Sequence, residues 1–317
     1  MNIVLLDGFT LNPGDISWKS LADLGTLTVY DRTEEDAVYE KSKDADILLV
    51  NKIRITSELI QRLPKLKFIG VLATGYNIVD IIAARKQNIV VCNVPNYSTE
   101  SVAQIAFAHL LNITNRIEYY AKANSEGRWS KCNDFCYWDG TLSELYGKTI
   151  GIVGFGNIGN AIARIAHAFQ MKICAYTSKK EENLPEYVEK TTLDDLFSNS
   201  DVISLNCPLT PETEYMINSL RLKMMKKTAI LLNTARGKLV DEQALAHALN
   251  TGEIGAYGCD VLTEEPPTSE NPLFAARNTF ITPHQGWATI EARTRLLSIV
   301  VENIRSFLNG NPINVVN

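Results

Sequence analysis

Short, wholly apolar runs rich in branched side chains alternate along this chain with longer stretches whose apolar residues recur at helical spacing. In the first third the apolar runs are Ile3–Leu6, Ile47–Val50, Phe68–Leu72 and Ile89–Cys92, and amphipathic stretches such as Thr56–Leu63 and Val79–Gln87 lie between them. An apolar run with no polar alternation reads as a strand buried on both faces, as in a parallel sheet covered by helices. A long periodic segment from Glu100 to about Asn124 follows, with Ser98 or Thr99 placed to cap a helix there. The stretch 129–145, containing Trp129, Phe135, Tyr137 and Trp138, fits neither the helical nor the strand period. A second series of apolar runs occupies Thr149–Gly154, Lys172–Tyr176, Val202–Asn206, Ala229–Asn233, Gly255–Asp260 and Thr279–Thr282. The amphipathic run Thr289–Leu308 predicts a closing helix that ends near Gly310.

The pattern predicts an α/β chain of two domains with parallel sheets. One covers residues 1–98 and is completed by 289–317; the other covers 99–288. A chain that crosses between domains twice predicts an active-site cleft with two linkers. The length, 317 residues, accommodates two domains, each able to bury its own core.

Composition narrows the function classes. With 45% hydrophobic and 21% charged residues, the chain is not a disordered polymer. Its net charge of −5 and the absence of a long Lys/Arg run argue against nucleic acid or an anionic membrane as a partner. No stretch approaches the roughly 20 apolar residues of a membrane span. The opening MNIVLLDG lacks the basic segment of a secretory signal, so a cytoplasmic location is expected. Of the six cysteines, Cys92, Cys174, Cys207 and Cys259 sit in or beside apolar runs, as small hydrophobes do. Cys132 and Cys136 form the one close pair, but no second Cys/His pair completes a zinc site, and no metal is expected.

The first chemical signature is TIGIVGFGNIGN at 149–160. Gly154, Gly156 and Gly159 form G-x-G-x-x-G directly after an apolar strand and directly before a helix, the context this motif requires. Gly154 permits the tight turn, Gly156 a close backbone approach to a pyrophosphate, and Gly159 close helix–strand packing. The intervening Phe155, Asn157 and Ile158 place backbone amides at the helix N-terminus, where phosphates bind. The motif predicts a dinucleotide-binding, Rossmann-like second domain, and the strand–helix alternation of the first reads as a Rossmann-like or flavodoxin-like domain as well. At the end of the next strand an acidic residue would grip the ribose of NAD. Here Thr177 stands there, followed by Ser178, Lys179 and Lys180. NAD(H) is the expected cofactor, and NADP(H) is expected to be accepted because no carboxylate repels a 2′-phosphate.

Three further polar signals lie at the carboxyl ends of apolar runs, where open α/β sheets bind ligands. They are Arg236 before Gly237, Asp260 with Glu264–Glu265 before Pro266, and His284 after Thr282–Pro283. Reduction of a 2-keto acid by a nicotinamide needs an anchor for the carboxylate and a proton donor for the carbonyl oxygen. Arg236 offers a permanently charged fork, and His284 titrates near neutrality. Glu265 beside it would orient the ring and raise its pKa. Of the four histidines, His109, His167 and His247 fall within helical segments and read as packing or surface residues.

GFGNIG, NTARGKLVDEQAL, DVLTEEPP and PHQGWAT, in this order and spacing, closely resemble the D-2-hydroxyacid dehydrogenase family, and the resemblance spans essentially the whole chain. It implies that Arg236 binds substrate, Glu265 tunes the histidine and His284 is the acid/base. The loop Leu72, Ala73, Thr74, Gly75, Tyr76, Asn77 resembles the family's carboxylate-binding loop, with amides around Ala73–Gly75 holding the substrate. Val102, Ala235 and Asp260 match nicotinamide-side positions, Cys207, Pro208 and Thr213 match the adenosine-side loop, and Thr234, Arg236, His284 and Gly286 are expected to contact the cofactor as well. Thr177 departs from the family's usual Asp, and Gln285 stands where a small apolar residue is common. Trp287, where many members have Ala or Ser, is expected to line the substrate site. With the aromatic stretch at 133–138 it looks most like the glycerate dehydrogenase (hydroxypyruvate reductase) branch.

The resemblance also implies a homodimer through the 99–150 region. The expected reaction is hydroxypyruvate to D-glycerate. A D-lactate- or glyoxylate-type reductase, or a non-catalytic NAD(H)-sensing regulator like the corepressors of this fold, stays open on the sequence.

Overall fold

Five parallel strands carry the first unit of the computed structural model, which describes every residue from Met1 to Asn317. They are β1 (Asn2–Leu5), β2 (Thr26–Val29), β3 (Ile47–Val50), β4 (Phe68–Val71) and β5 (Val90–Cys92), in the spatial order β2-β1-β3-β4-β5. Alternate residues along each strand serve opposite faces, as the period of two requires. Ile3, Leu5, Ile47, Leu49 and Phe68 pack with Leu296, Val300 and Ile304 of the helix Ile290–Leu308. Val4, Leu48, Val50, Ile69 and Val71 pack on the other side with Val38, Ile60 and Ala84. Thr289 caps the returning helix, its side chain accepting from the Ala292 amide at 3.2 Å.

Seven parallel strands carry the second unit. They are β6 (Thr149–Val153), β7 (Lys172–Tyr176), β8 (Val188–Lys190), β9 (Val202–Leu205), β10 (Ile230–Asn233), β11 (Ala256–Cys259) and β12 (Thr279–Ile281). Their order is β12-β11-β10-β9-β6-β7-β8. The chain moves outward from β6 to β8 and then crosses back to β9, so the β6/β9 junction is the switch point of a doubly wound sheet. On one face Ile150, Ile152 and Leu232 pack against Ala103, Ala106 and Leu110 of the helix Thr99–Asn115 and Ala163 of the helix Asn157–Ala168. On the other, Ile203, Leu231 and Tyr257 meet Leu222, Leu245 and Leu249.

The compact units are Met1–Ser98 with Trp287–Asn317, and Thr99–Gly286. The return to the first unit falls before Trp287, where the hydrophobic pattern places it after Ala288. The indole of Trp287 packs on the first unit's core, whereas the Gly286 amide bonds Asp260 Oδ2 at 2.7 Å.

Two strands escape the pattern, β2 and β8. Both lie at sheet edges, and β2 (TLTV) has no fully buried residue, so neither reads as an apolar run. The predicted single helix from Glu100 to Asn124 is two helices, Thr99–Asn115 and Ile117–Ser125. Arg116 breaks it in a left-handed conformation (φ +53°), its guanidinium bonded to the Asp139 carbonyl and lying 4.4 Å from the Tyr119 ring centre. The stretch after it is irregular as expected, apart from one short turn at Trp129–Lys131.

Candidate active site

The glycine motif sits at the switch point. Gly154 turns with φ +90°, and a Cβ there would lie 2.7 Å from the Cys207 amide nitrogen. No other residue lets the turn press this closely against the segment that follows β9. A Cβ on Gly159 would run into the Gly154 carbonyl, so the helix Asn157–Ala168 can approach β6 only as glycine. Around Gly156, by contrast, nothing outside its immediate chain neighbours lies within 4 Å of a Cβ position. That helix has no side-chain N-cap hydrogen bond, and its N-terminus carries the partial positive charge that favours an anion. Asn206 Oδ1 and Thr234 Oγ1 are buried without a hydrogen-bond partner. Open space over Gly156, a helix N-terminus without a side-chain cap and two unsatisfied oxygens in the neighbouring loops fit a bound dinucleotide.

At the end of β7, Thr177 Oγ1 accepts from the Lys179 amide at 3.2 Å, and Lys190 Nζ donates to the Lys179 carbonyl at 2.6 Å. Lys179 Nζ lies 5.6 Å from the Phe155 ring centre, and Ser178 and Lys179 are exposed. Thr213 closes its own loop, donating to the Pro208 carbonyl at 2.8 Å, while Cys207 Sγ meets Met216 Sδ. Val102 is buried on the helix Thr99–Asn115.

Arg236, Glu265 and His284 follow the adjacent strands β10, β11 and β12. His284 Nδ1 lies 2.6 Å from Glu265 Oε2, with both side chains about one third exposed. Glu265 Oε1 accepts the Leu262 amide at 3.1 Å, so the carboxylate is held at both oxygens. The Arg236 turn is braced by the fully buried Asn233, whose amide donates to the Arg236 carbonyl at 2.9 Å and whose oxygen accepts from the Ala235 amide at 3.1 Å. A Cβ on Gly237 would overlap the Leu262 backbone, so that turn and the Glu265 loop are pressed together. Glu242 ties the loop down from the next helix, accepting the Thr263 amide at 2.7 Å. The Arg236 guanidinium is exposed, enters no ion pair, and bonds only the Ala235 carbonyl, at 2.7 Å. An apolar cavity lined by Leu262, Pro267, Leu273, Phe274 and Ile281 opens onto the Glu265–His284 pair.

Asp260 is 3% exposed and accepts at every contact: from the Thr282 hydroxyl at 2.6 Å, the Gln285 amide at 2.9 Å and the Gly286 amide at 2.7 Å. Its carboxylate is therefore a bracket for the residues that follow His284. Ser101 holds the same loop from the helix Thr99–Asn115 by donating to the Gly286 carbonyl. His284 itself has φ +51°, a left-handed conformation costing a branched or bulky residue about 1 kcal/mol, which these contacts offset. The sequence reads His109 as a packing or surface residue. It is buried, and its Nε2 lies 3.0 Å from Thr282 Oγ1. No local signal announces this, because the two residues are 173 positions apart.

In the first unit, the loop expected from the sequence to bind a carboxylate follows β4. Leu72 is buried and its amide donates to the Val50 carbonyl at 2.7 Å. Thr74 is fastened at both ends, Oγ1 donating to the Val94 carbonyl at 3.0 Å and its own carbonyl accepting from Asn93 at 2.7 Å. The amides of Ala73, Thr74 and Gly75 donate to no protein acceptor, as suits a loop that binds an anion.

Residues 107–286 match the NAD binding domain of the D-isomer specific 2-hydroxyacid dehydrogenases. A hydroxypyruvate reductase of Blautia hydrogenotrophica is 47% identical over 324 aligned residues, covering 100% of both chains. A glycerate dehydrogenase of Methylorubrum extorquens is 40% identical, covering 89% of this chain and 88% of that one. Among solved structures, an acyclic imino acid reductase in complex with NADPH and D-arginine superposes with a TM-score of 0.87 at 31% identity, covering 100% of both chains. With these matches behind its motifs and its two doubly wound sheets, the chain belongs to the D-isomer specific 2-hydroxyacid dehydrogenase family, oxidoreductases that use a nicotinamide cofactor.

Proposed function

We propose that this protein reduces hydroxypyruvate to D-glycerate. The observation that carries the reading is the His284 Nδ1–Glu265 contact of 2.6 Å, in the same unit as the unpaired Arg236 fork. Full-length similarity to a hydroxypyruvate reductase supports the choice of keto acid. In this reading the unit 99–286 binds the dinucleotide and the unit 1–98 with 287–317 binds substrate.

The nicotinamide, when bound, supplies the hydride that reduces the carbonyl carbon. The chain's own residues do the rest. Arg236 pairs with the keto acid through its guanidinium, and the Ala73–Gly75 amides hold the substrate carboxylate. His284 Nε2 gives a proton to the carbonyl oxygen as it becomes a hydroxyl, and takes one back in the oxidation. Glu265 keeps the ring turned so that Nε2, and not Nδ1, faces the substrate. Trp287 bounds the substrate site. Asp260 holds the loop that carries His284, beside the cofactor positions Val102, Ala235 and Gly286.

Both NADH and NADPH are accepted in this proposal. The support is Thr177 in place of an acid, with exposed Ser178 and Lys179 next to it. A panel of hydroxypyruvate, glyoxylate, pyruvate and phosphohydroxypyruvate, each with NADH and NADPH and followed by nicotinamide absorbance, tests the assignment. Hydroxypyruvate should show the highest kcat/KM; a clear preference for another acid, or no turnover of any, overturns it.

The proposal includes a homodimer in the cytoplasm. Ile117, Trp129, Phe135 and Trp138 are 58%, 55%, 89% and 66% exposed, an apolar surface that a partner copy would cover. Sedimentation at micromolar concentration should give twice the chain mass. All six cysteines are free thiols, as suits a reducing compartment, and no helix is long and apolar enough to cross a membrane. Cell fractionation would check the location.

A further inference from the structure

We infer that His109 is a positioning residue for the acid/base histidine, acting through Thr282 and Asp260. This rests on the reading of His284 as the acid/base group, and adds a residue to it.

The direction of each hydrogen bond follows from counting protons. Asp260 Oδ1 accepts from the Gln285 amide at 2.9 Å and lies 2.6 Å from Thr282 Oγ1. A carboxylate that accepts at every contact takes the hydroxyl proton, and Thr282 has only one to give. The hydroxyl's other neighbours are the Cys259 carbonyl at 3.3 Å, which can only accept, and His109 Nε2 at 3.0 Å, which must then be the donor. The ring is thereby held as the Nε2–H form, and the chain of bonds runs one way, from His109 to Thr282 to Asp260. Burial pushes the His109 imidazole below its ordinary pKa range, with the Asp260 charge opposing, so it serves as a neutral donor.

The chain ends where it matters. Asp260 holds the two amides immediately after His284, at Gln285 and Gly286. The packing around these contacts is close. A Cβ on Gly286 would lie 2.9 Å from both Asp260 Oδ2 and Ile105 Cγ2. A Cβ on Gly258 of β11 would lie 2.9 Å from the His109 Cβ. The His109 side chain occupies the gap that Gly258 leaves, and Ser101 on the same helix fastens the Gly286 carbonyl. The helix Thr99–Asn115 thus fixes the left-handed His284 loop at two points. A loop held this way keeps the acid/base nitrogen in register, and small displacements of such a group cost large factors in rate.

The test uses the full-length enzyme, variants His109→Leu, His109→Gln and Thr282→Val, hydroxypyruvate and the better nicotinamide. His109→Leu removes the donor. His109→Gln can return an N–H near the position of Nε2. Thr282→Val cuts the chain from the other end and carries the test if His109→Leu does not fold. We expect kcat per folded enzyme to fall about tenfold in His109→Leu and in Thr282→Val, with KM for the keto acid within about twofold of wild type. His109→Gln should recover most of the loss, and His109→Leu combined with Thr282→Val should be no slower than the slower single variant. Wild-type kcat in the Leu or Val variants, additive losses in the pair, or a Gln variant as slow as Leu would each overturn the inference. A wild-type enzyme that turns over hydroxypyruvate while the variants match it condemns this inference alone; a wild-type enzyme inactive on every keto acid condemns the functional reading beneath it.

Discussion

Glu265 Oε2 meets His284 Nδ1 at 2.6 Å while Glu265 Oε1 holds the Leu262 amide, so one carboxylate locks both the imidazole and its own loop. This arrangement assigns the two ring nitrogens different jobs. Replacing Glu265 by Gln keeps the size and removes the charge, and the amide can present its NH2 to Nδ1. We expect kcat to fall by roughly a hundredfold with cofactor affinity unchanged, and His284→Ala to fall on the order of a thousandfold. Steady-state kinetics beside cofactor titration by fluorescence checks both; wild-type turnover in His284→Ala removes this residue from the mechanism.

Arg236→Lys should act mainly through substrate affinity. A lysine is a point charge on a flexible stem and cannot present a planar fork to carboxylate or carbonyl oxygen. Loss of one charge-assisted bond corresponds to about ten- to a hundredfold in KM. The exposed guanidinium bonds only the Ala235 carbonyl, so the melting temperature should not move. A KM within twofold of wild type would assign Arg236 to the surface.

Thr177→Asp should shift cofactor choice toward NADH. An aspartate at the end of β7 can accept from both ribose hydroxyls and repels a 2′-phosphate. The ratio of kcat/KM for NADH over NADPH should rise about tenfold or more. If the wild type already favours NADH by more than about a thousandfold, the reading of Thr177 fails; a hydrogen bond or two is worth less than that.

Asp15→Asn should destabilise the first unit in a pH-dependent way. The Arg293 guanidinium, only 8% exposed, bonds both Asp15 oxygens at 2.6 and 2.7 Å and the Leu11 carbonyl at 3.0 Å. That pairing holds the Asp15 carboxyl below its ordinary value of 3.8. A folded-state value below the unfolded one stabilises the protein above the unfolded value and ceases to do so as pH falls through the folded one. Thermal melts should therefore separate wild type from Asp15→Asn at neutral pH and converge in acid. A gap that is constant with pH would show that the charge contributes nothing.

How much was legible in the sequence differs from feature to feature. The buried strands β3, β4, β6, β9 and β10 were readable because both faces are covered and apolar residues dominate, with Thr149, Ser204 and Asn233 the polar exceptions. The edge strands β2 and β8 were not, since half or more of their side chains face water. Arg116 looks like one more residue of an amphipathic helix, and only its contacts with Asp139 and Tyr119 show why the helix breaks there.

By itself, the sequence determined what depends on near neighbours. Strand and helix periods, the glycine turn before Asn157, and the placement of Arg236, Glu265 and His284 just past strand ends are all local properties of a few consecutive residues. Tertiary structure alone decided which of these groups touch. The strand order sets β11 and β12 side by side, which brings Glu265 to His284 across 19 positions, and the helix Thr99–Asn115 packed on β10 and β11 brings His109 to Thr282 across 173. The same histidine residue type reads as packing or chemistry depending on a partner that no local window contains. The physical reason is that a hydrogen bond is a short-range contact, and sheet topology, not chain distance, decides which side chains come within its range.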